Sequence, residues 1–548
     1  MRILTVVVLA SLGCWHLAAQ ARAGGKNFAL SGTVVDGVSN KPLAGVDVTL
    51  QTDKWEPVGD SVSADAQGRF RFIGLAAGEY ILSATGSGFG TVQYGEAPDP
   101  GWVNSVHVGS NTAEKSILFK VMPRAGIEGI VRDEFGDPMM GANVAILRPL
   151  WREGRTALRN ISQKFTDDRG RYRFAGLAPG NYVVCTNGFR MGSSAAPVQG
   201  PVDFASRPDS RVYTRTCFPA PNGSSYRTTR LAPGQRTEID LTPLIGSAVA
   251  VRGHVRNPGA PGRTGGVMLV PEDPSAGVGE RFAAAVDQTQ GTFVFRGVTP
   301  GRYRLRADLR VQDSASGTDK QWTGEIPVDV GNSDVDGLEL AMDTGGVVDV
   351  AFQGLAENHI DAETVIANLK PAEDLRTARG APRNKDGFRF DGLTAGRYWL
   401  ITRTGADACV ESAKVGDRDI RGTPLTVGAG ASLRVDVTVS RNCGTIVSRA
   451  VRDGEPVPGA KVVLLLSGTA KDPGNLIEDF ADDEGEFSFS GLAPGHYLVW
   501  AWAVEGAGAG TGPGSLEAVE QQATAVEVKP GEPVHVDVPL LKEEGKTP

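Results

Sequence analysis

Hydrophobic and polar residues alternate in short runs along the whole chain, and helical periodicity is hard to find. One run, TDDRGRYRFAGLAPGNYVV from Thr166 to Val184, has four relatives. They begin at Ala64, Asp287, Arg383 and Ala481. Two aromatic residues stand two positions apart in the copies, a spacing that puts both on one face of a strand. A Gly and a Tyr follow, and the Tyr opens a second strand, so the run predicts a β-hairpin.

Turn residues frame this hairpin. A polar residue stands three positions before a Gly in each copy: Asp65, Asp167, Gln288, Asn384 and Asp482. Such side chains cap turns by accepting a bond from the backbone two residues on, and the Gly supplies a positive φ. Between the strands, sequences such as Ala-Pro-Gly predict a type II turn with its Gly at the third position.

The repeat has the length of a small domain. The aligned tyrosines stand 95 to 121 residues apart: Tyr80, Tyr182, Tyr303, Tyr398 and Tyr497. A second signature, strand then Pro/Gly turn then strand, begins at Ser31, Glu128 and Gly444; it is loose in the third repeat and almost lost in the fourth. About seven short strands per hundred residues are typical of an antiparallel β-sandwich.

These two signatures resemble the carboxypeptidase regulatory-like domain family, the transthyretin-like tail domain of metallocarboxypeptidases. The match is carried by D-x-x-G-x-[FY]-x-F-x-G-L-x-x-G-x-Y and by the upstream V-x-D…P-x-x-G-A-x-V. The resemblance implies an all-β chain, a tandem array of five antiparallel Greek-key sandwiches of the prealbumin-like, carbohydrate-binding-like class. It implies a fold and names no substrate.

The expected boundaries follow from the repeat positions. We predict a signal peptide at 1–23, repeats at 24–122, 123–246, 247–343, 344–441 and 442–541, and a polar tail at 542–548. The second repeat carries an excursion at 188–216, and the fourth is degenerate.

The N-terminus is typical of an export signal. Arg2 precedes an apolar stretch, and a small-x-small site ends at Ala23. We expect a secreted, periplasmic or cell-surface protein, with a lipoprotein anchored through Cys14 as the alternative. No later stretch is apolar for the length of a membrane span.

Four cysteines remain after cleavage: Cys185, Cys217, Cys409 and Cys443. An even count in an exported chain favours disulfides. Three pairings are open, of which the local one, Cys185–Cys217 and Cys409–Cys443, keeps each bond inside one repeat.

Known catalytic motifs do not match the chain. None of the six His is followed at the third position by the Glu that a zinc carboxypeptidase needs, and neither a G-x-S-x-G elbow nor a phosphate loop is present. The segment Asn332–Asp343 has a calcium-loop spacing, but its alternation predicts an acidic turn entering a strand. The acidic run from Asp482 predicts a solvated turn. We expect no catalytic residue, cofactor or metal.

Charge also narrows the choice of partner. The net charge is −8 and no basic patch is present, which argues against nucleic acid. Strand alternation places Trp500 and Trp502 on the outer face of the fifth repeat, where they could form an exposed platform for a ligand. The alternative is that a neighbouring domain or the GAGAGTGPG loop covers them.

The sequence therefore favours an exported, non-enzymatic scaffold that binds a cell-surface protein or polysaccharide. A carbohydrate-binding protein and an accessory subunit of a separate peptidase or surface complex are the alternatives.

Overall fold

A computed structural model describes most of the chain, and its description excludes the predicted signal peptide, the polar tail and several connecting segments. The described residues are 28–52, 55–96, 105–109, 114–152, 155–187, 189–190, 212–219, 227–246, 248–256, 266–272, 281–287, 289–312, 319–372, 379–381, 383–384, 387–405, 408–469, 476–482, 484–504 and 519–541. Within these ranges the structure is almost entirely β, with two short 3-10 helices and no α-helix. No helix in the described part is long and apolar enough to span a membrane.

The first predicted repeat contains eight strands: β1 (Phe28–Asp36), β2 (Asp47–Thr52), β3 (Val62–Ser63), β4 (Arg69–Leu75), β5 (Gly78–Gly86), β6 (Gly90–Gln93), β7 (Val106–Val108) and β8 (Glu114–Val121). One sheet has the order β4–β1–β8, and a second has β3–β2–β5 with β7 also paired to β5. All of these strands except β6 belong to one compact unit that ends at Val121, and the rest of the chain forms a second unit.

The second repeat contains β9 (Ala125–Ile130), β10 (Asn143–Arg152), β11 (Arg155–Phe165), β12 (Arg171–Leu177), β13 (Gly180–Thr186), β14 (Phe189–Arg190), β15 (Val212–Tyr213), β16 (Thr216–Cys217), β17 (Thr229–Leu231), β18 (Arg236–Glu238) and β19 (Ile245–Gly246). Its sheets are β12–β9–β18, then β11–β10–β13–β16 with β17 on β13, and β14–β15–β19. Most of the predicted excursion lies outside the described residues.

The third repeat contains β20 (Val249–Arg256), β21 (Val267–Pro271), β22 (Phe282–Ala284), β23 (Thr292–Val298), β24 (Gly301–Gln312), β25 (Asp319–Val330), β26 (Val335–Ala341) and β27 (Asp343–Thr344). Its sheets are β23–β20–β26 and β22–β21–β24–β25–β27.

The fourth repeat contains β28 (Gly346–Gln353), a 3-10 helix (Ala362–Thr364), β29 (Ile366–Pro371), β30 (Arg379–Gly380), β31 (Gly387–Leu393), β32 (Gly396–Arg403), β33 (Cys409–Val415), β34 (Arg418–Asp419), β35 (Leu425–Val427) and β36 (Ser432–Ser440). Its sheets are β31–β28–β36–β33–β34 and β30–β29–β32–β35. The weak sequence signature thus still specifies two sheets around a core of its own.

The fifth repeat contains β37 (Gly444–Arg452), β38 (Glu455–Pro456), β39 (Lys461–Leu466), β40 (Ile477–Phe480), β41 (Glu486–Leu492), β42 (Gly495–Trp502), a 3-10 helix (Glu520–Gln522), β43 (Thr524–Val528), β44 (Pro533–Val534) and β45 (Asp537–Pro539). Its sheets are β38–β37–β41, with β44 and β45 also on β37, and β40–β39–β42–β43.

The same strand order recurs in the five repeats, which confirms the predicted fold class. In one sheet the first strand lies between the opening strand of the hairpin and a strand near the end of the repeat. Alternating side chains of both sheets bury separate hydrophobic cores in repeats two to five. The residue boundaries of the five repeats given above stay a prediction.

One detail departs from the antiparallel pattern. In each repeat the first strand pairs in parallel with a strand near the end of the repeat, as β1 and β8 do from Ala29↔Glu114 to Asp36↔Val121.

Candidate functional site

The repeated hairpin opens with a capped turn. Asp65 Oδ1 accepts bonds from the backbone N–H groups of Gln67 and Arg69, both at 2.9 Å. Asp167 and Asp482 make the same pair of bonds. These contacts confirm the predicted cap and its Gly with positive φ, as at Gly68 (+73°).

In the third repeat Asp287 caps the turn, since its carboxylate accepts bonds from the backbone N–H groups of Thr289 and Gln290 at 2.8 Å. Gln288, which the sequence predicts as the capping residue, lies outside the described residues.

A second glycine of the motif bends the hairpin's first strand. Gly74, Gly176, Gly297, Gly392 and Gly491 all have φ between +63° and +74°. The strand register shifts beside these residues, so each one forms a β-bulge that only glycine adopts without strain.

The predicted type II turn between the hairpin strands is wrong. Its Gly would need φ near +80°. Gly180 and Gly495 instead have φ of +146° and +159°, and Gly78 lies outside the left-handed region. These glycines begin the second strand, so the left-handed position belongs to the bulge.

The tyrosine of the motif fastens the turn. Each hydroxyl donates to the backbone carbonyl four residues upstream, at 2.6–2.9 Å: Tyr80 to Ala76, Tyr182 to Ala178, Tyr303 to Thr299, Tyr398 to Thr394 and Tyr497 to Ala493. The rings are buried, and burial raises the pKa of Tyr497 to about 12. The bond resembles the tyrosine corner of other sandwiches and explains why the motif has Tyr rather than Phe.

Two disulfides close long loops. Cys185 pairs with Cys217 and Cys409 pairs with Cys443, as the local pairing predicts. The first bond joins the neighbouring strands β13 and β16. Cys443 lies two residues beyond the predicted end of the fourth repeat, so the second bond ties β33 to the junction with the fifth.

The exposed platform predicted at Trp500 and Trp502 is wrong. Their exposed fractions are 0% and 6%. The strand parity is right, because Tyr497, Val499 and Ala501 lie in the inner core and the two Trp lie on the other face. That face is covered by a second cluster.

Residues from both ends of the second compact unit build this outer cluster. Its buried members are Trp151, Val463, Leu465, Trp500, Trp502 and Val519. Trp151 comes from the second repeat, whereas the others belong to the fifth. Coverage by a neighbouring domain is the alternative stated above, and the neighbour is repeat two, which no local sequence pattern indicates.

Charged groups are buried at the margin of the same face. Lys461 Nζ lies 2.7 Å from Glu478 Oε2 and over the Phe480 ring at 4.4 Å, and Lys461 is 3% exposed. Burial raises the pKa of the adjacent Asp479 to about 6. Sequence analysis missed this group, since isolated charges in separate strands give no motif.

The calcium-loop spacing after Asn332 does not form a loop. Strand β26 begins at Val335, as predicted. Asp334 accepts a bond from Ala250 N at 2.8 Å, and Arg252 pairs with both Asp334 and Asp336 at 3.0 and 2.9 Å. These carboxylates hold the start of β26 to β20, the first strand of the repeat.

The acidic turn of the fifth repeat brings three carboxylates together. Oxygens of Asp482, Glu484 and Glu486 lie within 4.8 Å of one another. Asp482 already accepts two backbone bonds, and the two Glu side chains are exposed. The turn is solvated, as predicted.

A polar groove of about 440 Å³ lies beside this turn. Its lining residues are Val447, Ser448, Arg449, Glu486, His535, Val536 and Asp537. Arg449 forms an ion pair with Asp537 at 3.2 Å. Val536, which lies between the short strands β44 and β45, donates its backbone N–H to Ser448 Oγ at 3.3 Å. The groove offers donors and acceptors to a polar ligand. The sequence could not indicate it, because Arg449 and Asp537 stand 88 residues apart.

Comparisons with known proteins identify part of the chain. Residues 29–111 match the model of the carboxypeptidase regulatory-like domain. The comparison with curated proteins gives no match.

Solved structures that are similar to this chain include pilin subunits. The TIE protein of Bacillus anthracis is 10% identical over 95% of this chain and 75% of that one, with a TM-score of 0.16. The major pilin subunit of Bacillus cereus is 12% identical over 94% and 99%, with a TM-score of 0.15. A minor pilin of Streptococcus agalactiae is 13% identical over 43% and 100%, with a TM-score of 0.21. At such TM-scores these likenesses support no functional argument.

The family match and the recurring strand order agree with each other. The chain is a tandem array of prealbumin-like domains, and its first repeat matches the carboxypeptidase regulatory-like domain model over residues 29–111.

Proposed function

We propose that this chain is an exported, non-enzymatic scaffold of the cell envelope or extracellular space. One observation carries the proposal: the polar side chains that recur between repeats are used to hold hairpins. The five tyrosine hydroxyls bind turn carbonyls, and the recurring aspartates cap turns. Two disulfides, which persist in oxidising compartments, support the exported location.

Polysaccharide binding is the second candidate function, and the polar groove of the fifth repeat favours it. Arg449, Glu486 and Asp537 provide charged hydrogen-bonding groups at its wall, and His535 adds a ring. Sugar hydroxyls need such convergent donors and acceptors.

One binding experiment distinguishes the scaffold function from polysaccharide binding. Labelled mature protein is added to cells of its source organism that have been treated with protease or with periodate, which cleaves the vicinal diols of sugars. A scaffold bound to a surface protein loses binding after protease, and a polysaccharide binder loses it after periodate. Absence of binding to untreated cells, together with absence from the cell's own envelope and culture medium, would contradict both.

A matched pair of variants tests the groove. Arg449→Ala removes an exposed Arg–carboxylate pair at the groove, and Arg71→Ala removes a similar pair with Glu114 at 3.0 Å in the first repeat. If the groove binds polysaccharide, only Arg449→Ala weakens periodate-sensitive binding. Equal behaviour of the two variants would exclude the groove.

A further inference from the structure

The outer cluster contains a contact between repeats that are far apart in sequence. Trp151, near the end of β10, and Trp502, at the end of β42, have ring centroids 4.6 Å apart with an interplanar angle of 73°. This edge-to-face geometry is favourable for aromatic rings. Trp151 is 5% exposed and Trp502 is 6% exposed, so each ring hides the other from water.

The two tryptophans of the fifth repeat are held differently. Trp500 Nε1 donates to Val519 O at 3.1 Å, so its cover comes from its own repeat. Trp502 has its edge against Trp151. Loss of Trp151 would therefore uncover Trp502 before Trp500.

Trp151 stands at the tip of a long hairpin. Strands β10 and β11 pair over ten positions, from Asn143↔Phe165 to Arg152↔Arg155. At the base, Val144 and Ile146 belong to the core of the second repeat. The middle packs through Leu147 and Leu158 against the Cys185–Cys217 disulfide. The tip is thus presented from a fixed base.

We propose that the tip of the β10–β11 hairpin is a docking element for the outer face of the fifth repeat, and that this contact couples local opening of the hairpin tip to local opening of β42. The segment that covers the outer face of the fifth repeat belongs to the chain's own second repeat. The proposal goes beyond the scaffold function, because it concerns coupling within the chain and holds whatever the scaffold binds.

Amide hydrogen exchange of the full-length protein tests this coupling. In Trp151→Ala, exchange in β39 and β42 should accelerate by about tenfold, since the ring pair and its buried area are lost although the fifth repeat is unaltered. Coupling is reciprocal, so Trp502→Ala should accelerate exchange at the tip of β10 and β11.

Leu158→Ala is the matched control. Leu158 lies in the same hairpin but packs on the disulfide side, outside the outer cluster. It should leave β42 exchange within about twofold of the wild type. Trp151→Phe keeps an aromatic edge and should give an intermediate rate, which keeps the test valid if the alanine variant disrupts the hairpin.

Three outcomes overturn the proposal. The first is unchanged β42 exchange in a Trp151→Ala protein with native circular dichroism. The second is equal acceleration by Leu158→Ala. The third is wild-type protection in β42 that falls on tenfold dilution, which would show that a second copy provides the hairpin.

Discussion

The second repeat offers a direct test of what a buried tyrosine hydroxyl contributes. Tyr172 and Tyr182 are both buried in its core, and each donates to a backbone carbonyl. The bond from Tyr172 to Ile239 O, at 2.6 Å, is buried, whereas the bond from Tyr182 to Ala178 O, at 2.7 Å, is only partly buried. The two variants to compare are Tyr172→Phe and Tyr182→Phe.

Phenylalanine fits both positions without a change of ring volume. At the position of Tyr172 the other repeats carry it already: Phe70, Phe293, Phe388 and Phe487. The comparison therefore isolates the hydroxyl. Burial, together with the nearby Asp240, raises the pKa of Tyr172 far above its usual range, so the hydroxyl stays protonated and able to donate.

The expected losses of stability differ because the two carbonyl groups that lose their hydrogen-bond donor differ in burial. A typical intramolecular hydrogen bond contributes about 0.5–1.5 kcal/mol, and a buried acceptor left without a partner costs about 1–3 kcal/mol. Water can reach the turn at Ala178, so Tyr182→Phe should cost about 1 kcal/mol. Ile239 is 2% exposed, so Tyr172→Phe should cost about 2–3 kcal/mol.

Native-state hydrogen exchange of the full-length variants measures these costs as local opening free energies. For Tyr172→Phe the loss should be read in β9 and β18, and for Tyr182→Phe in β13. An equal or larger cost for Tyr182→Phe would refute the reasoning that burial of the carbonyl sets the magnitude.

Three further experiments have expected outcomes. Replacing Cys185 and Cys217 together by Ala should lower the free energy of unfolding by about 3–4 kcal/mol, because the disulfide spans 32 residues. Urea titration measures this loss of stability. Free thiols in the native protein would contradict the pairing. The pKa of Asp479 in the folded chain, about 6, lies above its ordinary 3.8, so the folded state holds this proton more tightly. The contribution of this carboxyl to stability should be fully present below about pH 4 and fall by about 3 kcal/mol between about pH 4 and 6. Asp479→Asn should abolish that part of the pH dependence, and a parallel pH profile in both proteins would exclude Asp479 as its source. Gly74→Ala should lower the free energy of unfolding by about 1–2 kcal/mol through the φ of +74° alone, because no atom lies near the added methyl group. Gly78→Ala should leave the free energy of unfolding unchanged. Thermal melts that show similar losses of stability for both variants would argue against strain at the bulge.

The sequence predicted the fold well because the fold is repeated and its signals are local. Spacing-two aromatics, capped turns and the recurring tyrosine each act within about twenty residues, so one chain segment is enough to reveal them. The mistaken type II turn shows the limit of such signals. A Gly-rich hairpin has two candidate left-handed positions, and only backbone geometry shows that Gly176 rather than Gly180 has the φ of +74°.

The two candidate features of the fifth repeat, its outer face and its polar groove, were predictable only in part. Alternation placed Trp500 and Trp502 on the outer face, because parity is a property of one strand. Their burial depends on Trp151, which stands in another repeat, and periodicity carries no information about contacts between repeats. The polar groove escaped prediction for the same reason, since Arg449 and Asp537 meet only after β45 returns beside β37.

The parallel pairing of first and last strands has a mechanical consequence. In the first repeat, tension applied to the chain pulls β1 at Phe28 and β8 at Val121 in opposite directions along one ladder of eight paired positions. Such a load stretches the ladder's hydrogen bonds together, in shear, instead of separating them one after another as in an unzipping hairpin. We therefore expect the first repeat to resist extension strongly, and single-molecule pulling from its two ends would detect this as a high, discrete rupture force; a smooth, low-force extension would contradict the expectation.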